Sequence, residues 1–94
     1  MRKEEIEIFS DQSNSAIMRH PGRAFPGVLI QGDSLSSYVS LLNEAIAELK
    51  TGDRAEGIEL VEEVQEIFES HLAHYANTLS EEGVDLPFSL PRGT

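Results

Sequence analysis

Between Leu35 and Leu79 apolar residues recur at helical spacing, and the run is interrupted once, at Thr51-Gly52-Asp53. That pattern commits about half of the chain to two helices before anything else is read. Leu35, Tyr38, Val39, Leu42, Ala45, Ile46 and Leu49 make one stripe, with Ser36, Ser37, Ser40, Asn43, Glu44 and Glu48 on the other side. Gly32-Asp33-Ser34 supplies the start, with Asp33 or Ser34 as N-cap, and Lys50 followed by Gly52 supplies the stop, so the spacing predicts a first helix over 34–50. Asp53 with Glu56 three residues later is a capping-box signature that opens a second helix over 54–80. A link of about four residues makes the two helices antiparallel neighbours. At 1.5 Å per residue they span roughly 25 and 40 Å, so they do not match in length. Ile58, Val61, Val64, Phe68, Leu72, Tyr75 and Leu79 carry the seam past the reach of the first helix. Leu72, Tyr75 and Leu79 therefore need cover from the N-terminal strands, from Val84 to Leu90, or from a second subunit, for which they would form an oligomer seam.

The residues before the first helix have a different period. Ile6 and Ile8 point one way and Glu5, Glu7 and Phe9 the other, which predicts a half-buried strand over 3–10. Asp11-Gln12-Ser13-Asn14 is turn material, and residues 15–20 read as a second strand. Pairing Phe9 with Ile17 sets Glu7 opposite Arg19 and Ile8 opposite Met18, a register that satisfies one charge pair and one apolar pair. After the loop His20 to Gly27, the apolar run Val28-Leu29-Ile30 predicts a third strand over 27–31. The fold class is α+β: a three-stranded antiparallel meander packed on a two-helix hairpin, one domain over 1–94, with an irregular tail over 83–94.

Charge narrows the function. Seventeen acidic residues against seven Lys and Arg give −10, and such a surface repels phosphate backbones and anionic membranes. No nucleic acid is expected as partner. No run reaches the length of a spanning helix, and the charged Met1 to Glu7 lacks the apolar stretch of a signal peptide, so the expected location is the cytoplasm. Without cysteine there is neither a disulfide nor thiolate chemistry. The charge is also uneven. Gln12 to Gly32 holds no acidic residue and carries +2, while the remainder carries −12.

Four constellations bear on chemistry. Gly32-Asp33-Ser34-Leu35 spells the motif of the GDSL serine hydrolases, which it resembles over four residues. That family pairs its serine with an Asp-x-x-His and builds a parallel sheet longer than this chain can supply; Phe68 and His71 stand three residues before His71 and His74, so the base is missing. The caps explain Asp33 and Ser34, and the chain is read as not an enzyme. His71 and His74 lie three apart near Glu66 and Glu69, but neither follows a Glu at the spacing of carboxylate-bridged bundles, so neither a metal nor a cofactor is expected. Glu59, Glu62, Glu63, Glu66 and Glu69 form an acidic face, mildly self-repelling at i, i+4, that solvates the helix or docks a basic partner. Arg19, His20 and Arg23, with Phe25 and Gln31 alongside, precede a helix N-terminus, a combination suited to a carboxylate or small anion.

The stretch from Pro21 to Leu35, PGRAFPGVLIQGDSL, resembles the signature of a family of small uncharacterised bacterial proteins, a domain of unknown function. The resemblance implies a bacterial, free-standing small protein and brings no catalytic residue with it. The function expected is a non-enzymatic protein-interaction module of regulatory, accessory or toxin-neutralising type, with a protein partner or a second copy as ligand. The alternative is a small-anion or carboxylate binder that uses Arg19, His20, Arg23 and the helix N-terminus near Gly32.

Overall fold

A turn after Ser10 reverses the chain: Ser15 N donates to Gln12 O at 3.2 Å, and Asn14 takes the left-handed conformation at φ 64°, which asparagine tolerates better than most residues. The computed structural model describes residues 1–12 and 14–90. On either side of this turn lie β1 (Glu7–Ser10) and β2 (Ala16–Arg19), and β3 (Gly27–Leu29) completes a meander of order β1-β2-β3, antiparallel throughout. Two helices follow, α1 (Gly32–Thr51) and α2 (Arg54–Glu81). The fold is α+β.

Two of the three expected β1–β2 pairs are present, Glu7 with Arg19 and Ile8 with Met18, but Ile17 stands opposite Ser10 rather than Phe9. Phe9 is the extra residue of a bulge, and its ring packs against the core below the sheet. The strands are shorter than the alternation suggested. β2 is only four residues long and ends just before Pro21, so residues 3–6 have no strand left to pair with. A hydrogen bond from Arg23 N to His20 O at 3.1 Å, across Pro21 and Gly22, closes the turn after β2. Gly22 at φ 82° supplies the left-handed third position that a type II turn requires.

The chain divides into two units, residues 1–30 with 71–90 and residues 31–70, and α2 contributes to both. The first unit is built around Ile17 and Leu79, both without solvent contact, and Tyr75; Phe9, Val28, Val84 and Leu86 pack around them. Tyr75 Oη donates to Pro26 O at 2.8 Å, and its ring stacks on Phe88 at 6.1 Å. Burial raises the Tyr75 phenol above its ordinary pKa. α2 ends in a Schellman motif, with Val84 N on Leu79 O, Gly83 N on Ser80 O, and Gly83 at φ 70°. That turn delivers Val84 and Leu86 to the core, so the segment that follows α2 is structured cover; residues 91–94 of the expected irregular tail lie outside the described residues. Tyr75 and Leu79 are thus sheltered within their own chain and Leu72 is half-buried. The seam that these three would have offered a second subunit is not exposed.

The second unit is the helix hairpin. Ala45 of α1 and Leu60 and Val64 of α2 are buried between the helices, and Tyr38 meets Phe68 edge to face at 5.8 Å. Asp53 caps α2 as expected, its Oδ1 accepting from Ala55 N at 2.9 Å and Glu56 N at 3.3 Å. The reciprocal half of the box comes from another residue: Glu48 Oε2, not Glu56, accepts from Asp53 N at 2.8 Å. α1 starts earlier than the caps implied. Gln31 is its N-cap, through a backbone carbonyl that accepts from Leu35 N at 2.9 Å, while Asp33 and Ser34 lie within the first turn.

Gly57 sets how closely the helices approach. A Cβ there would stand 2.7 Å from Leu49 Cγ and 3.1 Å from the Ala45 carbonyl oxygen. Gly57→Ala gains about 1 kcal/mol of helix propensity but overpacks the crossing by about 1–3 kcal/mol, so a net loss near 1 kcal/mol is expected in urea denaturation. A net gain would show that the crossing can open freely.

Candidate functional site

The sheet has two unlike faces. Ile17 and Val28 point to the core, so alternation sends Ile8, Met18 and Leu29 to the opposite face, where Ile8 and Leu29 remain exposed. Phe25, held at the end of the Pro-bounded loop, joins them. The result is a hollow of about 420 Å³ lined by Ile6, Met18, Phe25, Val28 and Leu29, together with Gly27 and the polar His20 and Arg23. Among the described residues, no acidic one lines it.

The structure separates the basic residues that the sequence grouped. Arg19 is already engaged: its Nε and one terminal nitrogen donate to the two carboxylate oxygens of Glu7 at 2.7 and 2.9 Å, its other terminal nitrogen donates to Ala24 O at 3.4 Å, and its guanidinium lies 5.5 Å from the centre of the Phe9 ring. It is not available to a ligand in the way expected, because the cross-strand register hands it to Glu7. Gln31 serves the helix start and does not line the hollow either, nor does Gly32. His20, Arg23 and Phe25 do line it. His20 Nδ1 lies 3.0 Å from Pro21 O, a carbonyl that can only accept, so the proton sits on Nδ1 and leaves Nε2 as the ring's other polar atom.

The Glu7–Arg19 pair carries a pH signature. Hydrogen bonding from Arg19 holds the Glu7 carboxyl below its ordinary pKa, and Glu7 in turn raises that of Arg19. A depressed carboxylate stabilises the fold above the unfolded-state pKa, and that contribution fades as pH falls through the folded-state value. In a carboxyl-carbon NMR titration, Glu7 is expected to titrate below its ordinary value and to move back up in Arg19→Gln. Identical Glu7 titration in both proteins would contradict the pairing.

His71 and His74 of α2 find partners in the sheet unit. His71 Nδ1 lies 2.9 Å from Ser15 Oγ and His74 Nε2 lies 2.8 Å from Ser10 Oγ, so consecutive turns of α2 are tied to the two ends of the β1–β2 turn. Nothing in the local sequence signals these long-range partners.

A second surface belongs to the hairpin. The single stripe expected on α1 splits in two: Tyr38 and Ala45 turn toward α2, whereas Leu35, Val39, Leu42, Ile46 and Leu49 are 36–50% exposed. One neighbouring helix covers only part of so wide a stripe. On α2 the same division leaves Ile58, Val61 and Phe68 exposed, while Val64 is buried. At about 100° per residue the exposed positions of the two antiparallel helices fall on one side of the hairpin. The steps along α1 alternate four and three, the spacing of a seam between packed helices. Glu59, Glu62, Glu63 and Glu66 are exposed and Glu69 is half-buried, all on the side of α2 turned away from α1. The sheet is three-stranded and antiparallel, unlike the parallel sheet of the GDSL hydrolases. No helix among the described residues is long and apolar enough to cross a membrane.

Comparison with curated proteins and with solved structures gives no match. The sequence from residue 1 to 88, which takes in all three strands, both helices and the segment that packs after them, matches a family of unknown function, and the chain belongs to that family, DUF6959.

Proposed function

We propose that the chain is a non-enzymatic protein-interaction module that works as a dimer, in which a second copy covers the exposed face of the helix hairpin. The observation that carries this reading is the ladder of eight large apolar side chains, Leu35, Val39, Leu42, Ile46, Leu49, Ile58, Val61 and Phe68, on a hairpin with one apolar side. At roughly 80 Å² each they offer on the order of 600–700 Å², close to the ~800 Å² per partner of a standard interface and above what most monomers expose in one patch.

The rims favour a second copy and choose its orientation. The outer edge of α1 beside the ladder holds Ser36, Asn43 and Lys50; the corresponding edge of α2 holds Glu62 and Glu69. A twofold axis parallel to the helices lays α1 of one copy over α2 of the other and brings Asn43 and Ser36 level with Glu62 and Glu69. The other twofold, with α2 over α2, would bring glutamates together. The product is a four-helix bundle with Glu59, Glu63 and Glu66 outward, an acidic surface fit for a basic partner in a bacterial cytoplasm. The absence of an Asp-x-x-His pairing in the sequence supports the non-enzymatic part.

Sedimentation equilibrium tests the reading. A mass twice the 10.4 kDa of the chain, at micromolar concentration and physiological salt, is expected. A single-chain mass throughout would refute it.

A further inference from the structure

We propose that the hollow on the outer face of the sheet binds a free amphiphilic monocarboxylate, an acyl or aromatic acid whose apolar body lies on Ile6, Met18, Phe25 and Leu29 and whose carboxylate meets Arg23. This site lies wholly in the unit that contains the sheet and does not depend on dimer formation through the hairpin.

Three observations converge on this ligand. The floor is apolar and partly open: Ile6, Phe25 and Leu29 are each 40–50% exposed, although a three-stranded sheet of this size gains most by covering such side chains. The volume, about 420 Å³, falls within the usual range of small-molecule sites. At roughly 30 Å³ for a group the size of water, it accommodates a body of about eight to twelve carbons. Among the described residues, the only charged side chain in the lining is Arg23, and His20 beside it is the only other side chain there with an N–H or oxygen group. Arg19, which could have competed for an anion, is neutralised by Glu7.

The protein's net charge of −10 does not forbid an anion here. Charges more than about 8 Å away are largely screened at physiological ionic strength, and the stretch Gln12–Gly32 that forms most of the lining contains no Asp or Glu. What the bound carboxylate meets is therefore the local guanidinium, a planar donor suited to bidentate pairing. The apolar body supplies the non-directional part of the affinity. A short acid such as acetate gains the ion pair alone, and an alcohol of equal length gains the burial alone, so only the combination should bind well.

The test is a titration followed by amide NMR with sodium octanoate, sodium acetate and 1-octanol, on the wild type and on Arg23→Gln and Leu29→Ser. Octanoate is expected to move the amides of Met18, His20, Arg23 and Gly27–Leu29 saturably. Affinity should fall at least tenfold for acetate, for octanol, for octanoate on Arg23→Gln and for octanoate on Leu29→Ser. Arg23 and Leu29 are surface-exposed, and dispersed spectra of the variants establish that their folds persist. Octanol binding as tightly as octanoate would overturn the assignment, as would octanoate shifts confined to the hairpin or equal octanoate affinity in Arg23→Gln.

Discussion

Leu79→Ala lowers the unfolding free energy by about 3 kcal/mol, the middle of the range for deleting a fully buried leucine side chain. Leu79 has no solvent contact and packs in one cluster with Ile17 and Tyr75, under the strands on one side and Val84 and Leu86 on the other. The neighbours belong to a sheet and to a segment locked by the Schellman turn, so they have little freedom to collapse into the space left behind. Against a total of about 5–15 kcal/mol for a domain of ordinary stability, the loss is a large fraction. Urea denaturation at one fixed protein concentration measures it, because association adds a concentration-dependent term. A loss under about 1 kcal/mol would mean that this core is less close-packed than described.

The double variant Leu42→Glu with Ile46→Glu shifts the chain to a single-chain mass at every accessible concentration while leaving its helix content intact. Both side chains are partly exposed within their own chain, 36% and 49%, and the residues buried between the helices, Ala45, Leu60 and Val64, are untouched by the change. If solvent were their only neighbour, replacing them by glutamate would fall in the range of ordinary surface substitutions, within about 0.5 kcal/mol, and would not change the mass. With a second copy over them, the substitution removes two apolar anchors and places two carboxylates, duplicated by symmetry, at the centre of a dry interface. The cost is several kcal/mol, more than a hundredfold in dissociation constant. Sedimentation and far-ultraviolet circular dichroism, run on the same samples, separate loss of association from loss of fold. Unchanged mass would remove the hairpin face from the account.

How far the sequence could be read depended on how local each cause was. The Glu7–Arg19 and Ile8–Met18 pairs were legible because strand alternation and cross-strand chemistry both constrain them. The bulge at Phe9 was not, since it follows from where the ring packs in the core. Asp53 announced its helix, but Glu48 as the partner of its N–H could be seen only once the two helices were joined. The apolar stripe on α1 was visible as a stripe; its division into a face toward α2 and a face toward solvent was not, because periodicity says where the apolar residues lie and not how much of them one neighbour covers. The same limit applied to Leu72, Tyr75 and Leu79, whose need for cover was evident and whose cover was not. Two further signals stand in the sequence. Gly83 followed by apolar Val84 is the pattern of a Schellman stop, and Gly57, buried in the first turns of α2, marks a close helix crossing. For the hollow, alternation put Ile6 and Ile8 on one face of a strand read as half-buried, but it is Phe9 that packs on the core while Ile6 and Ile8 face outward, and only the turn at Pro21-Gly22 decided that Arg23 and Phe25 border the hollow while Arg19 does not.

Both surfaces rest on the same physical fact, that this chain leaves large apolar side chains uncovered in ordered rows. The hairpin row is the larger, and a mixed sample of isotope-labelled and unlabelled chains examines it most directly. Isotope-filtered nuclear Overhauser spectra report only contacts between copies. They should connect Val39, Leu42 and Ile46 of one copy to Ile58, Val61 and Phe68 of the other, as α1 lying across the partner's α2 requires. Spectra without cross-peaks between copies, or with contacts only from α1 to α1, would contradict the arrangement.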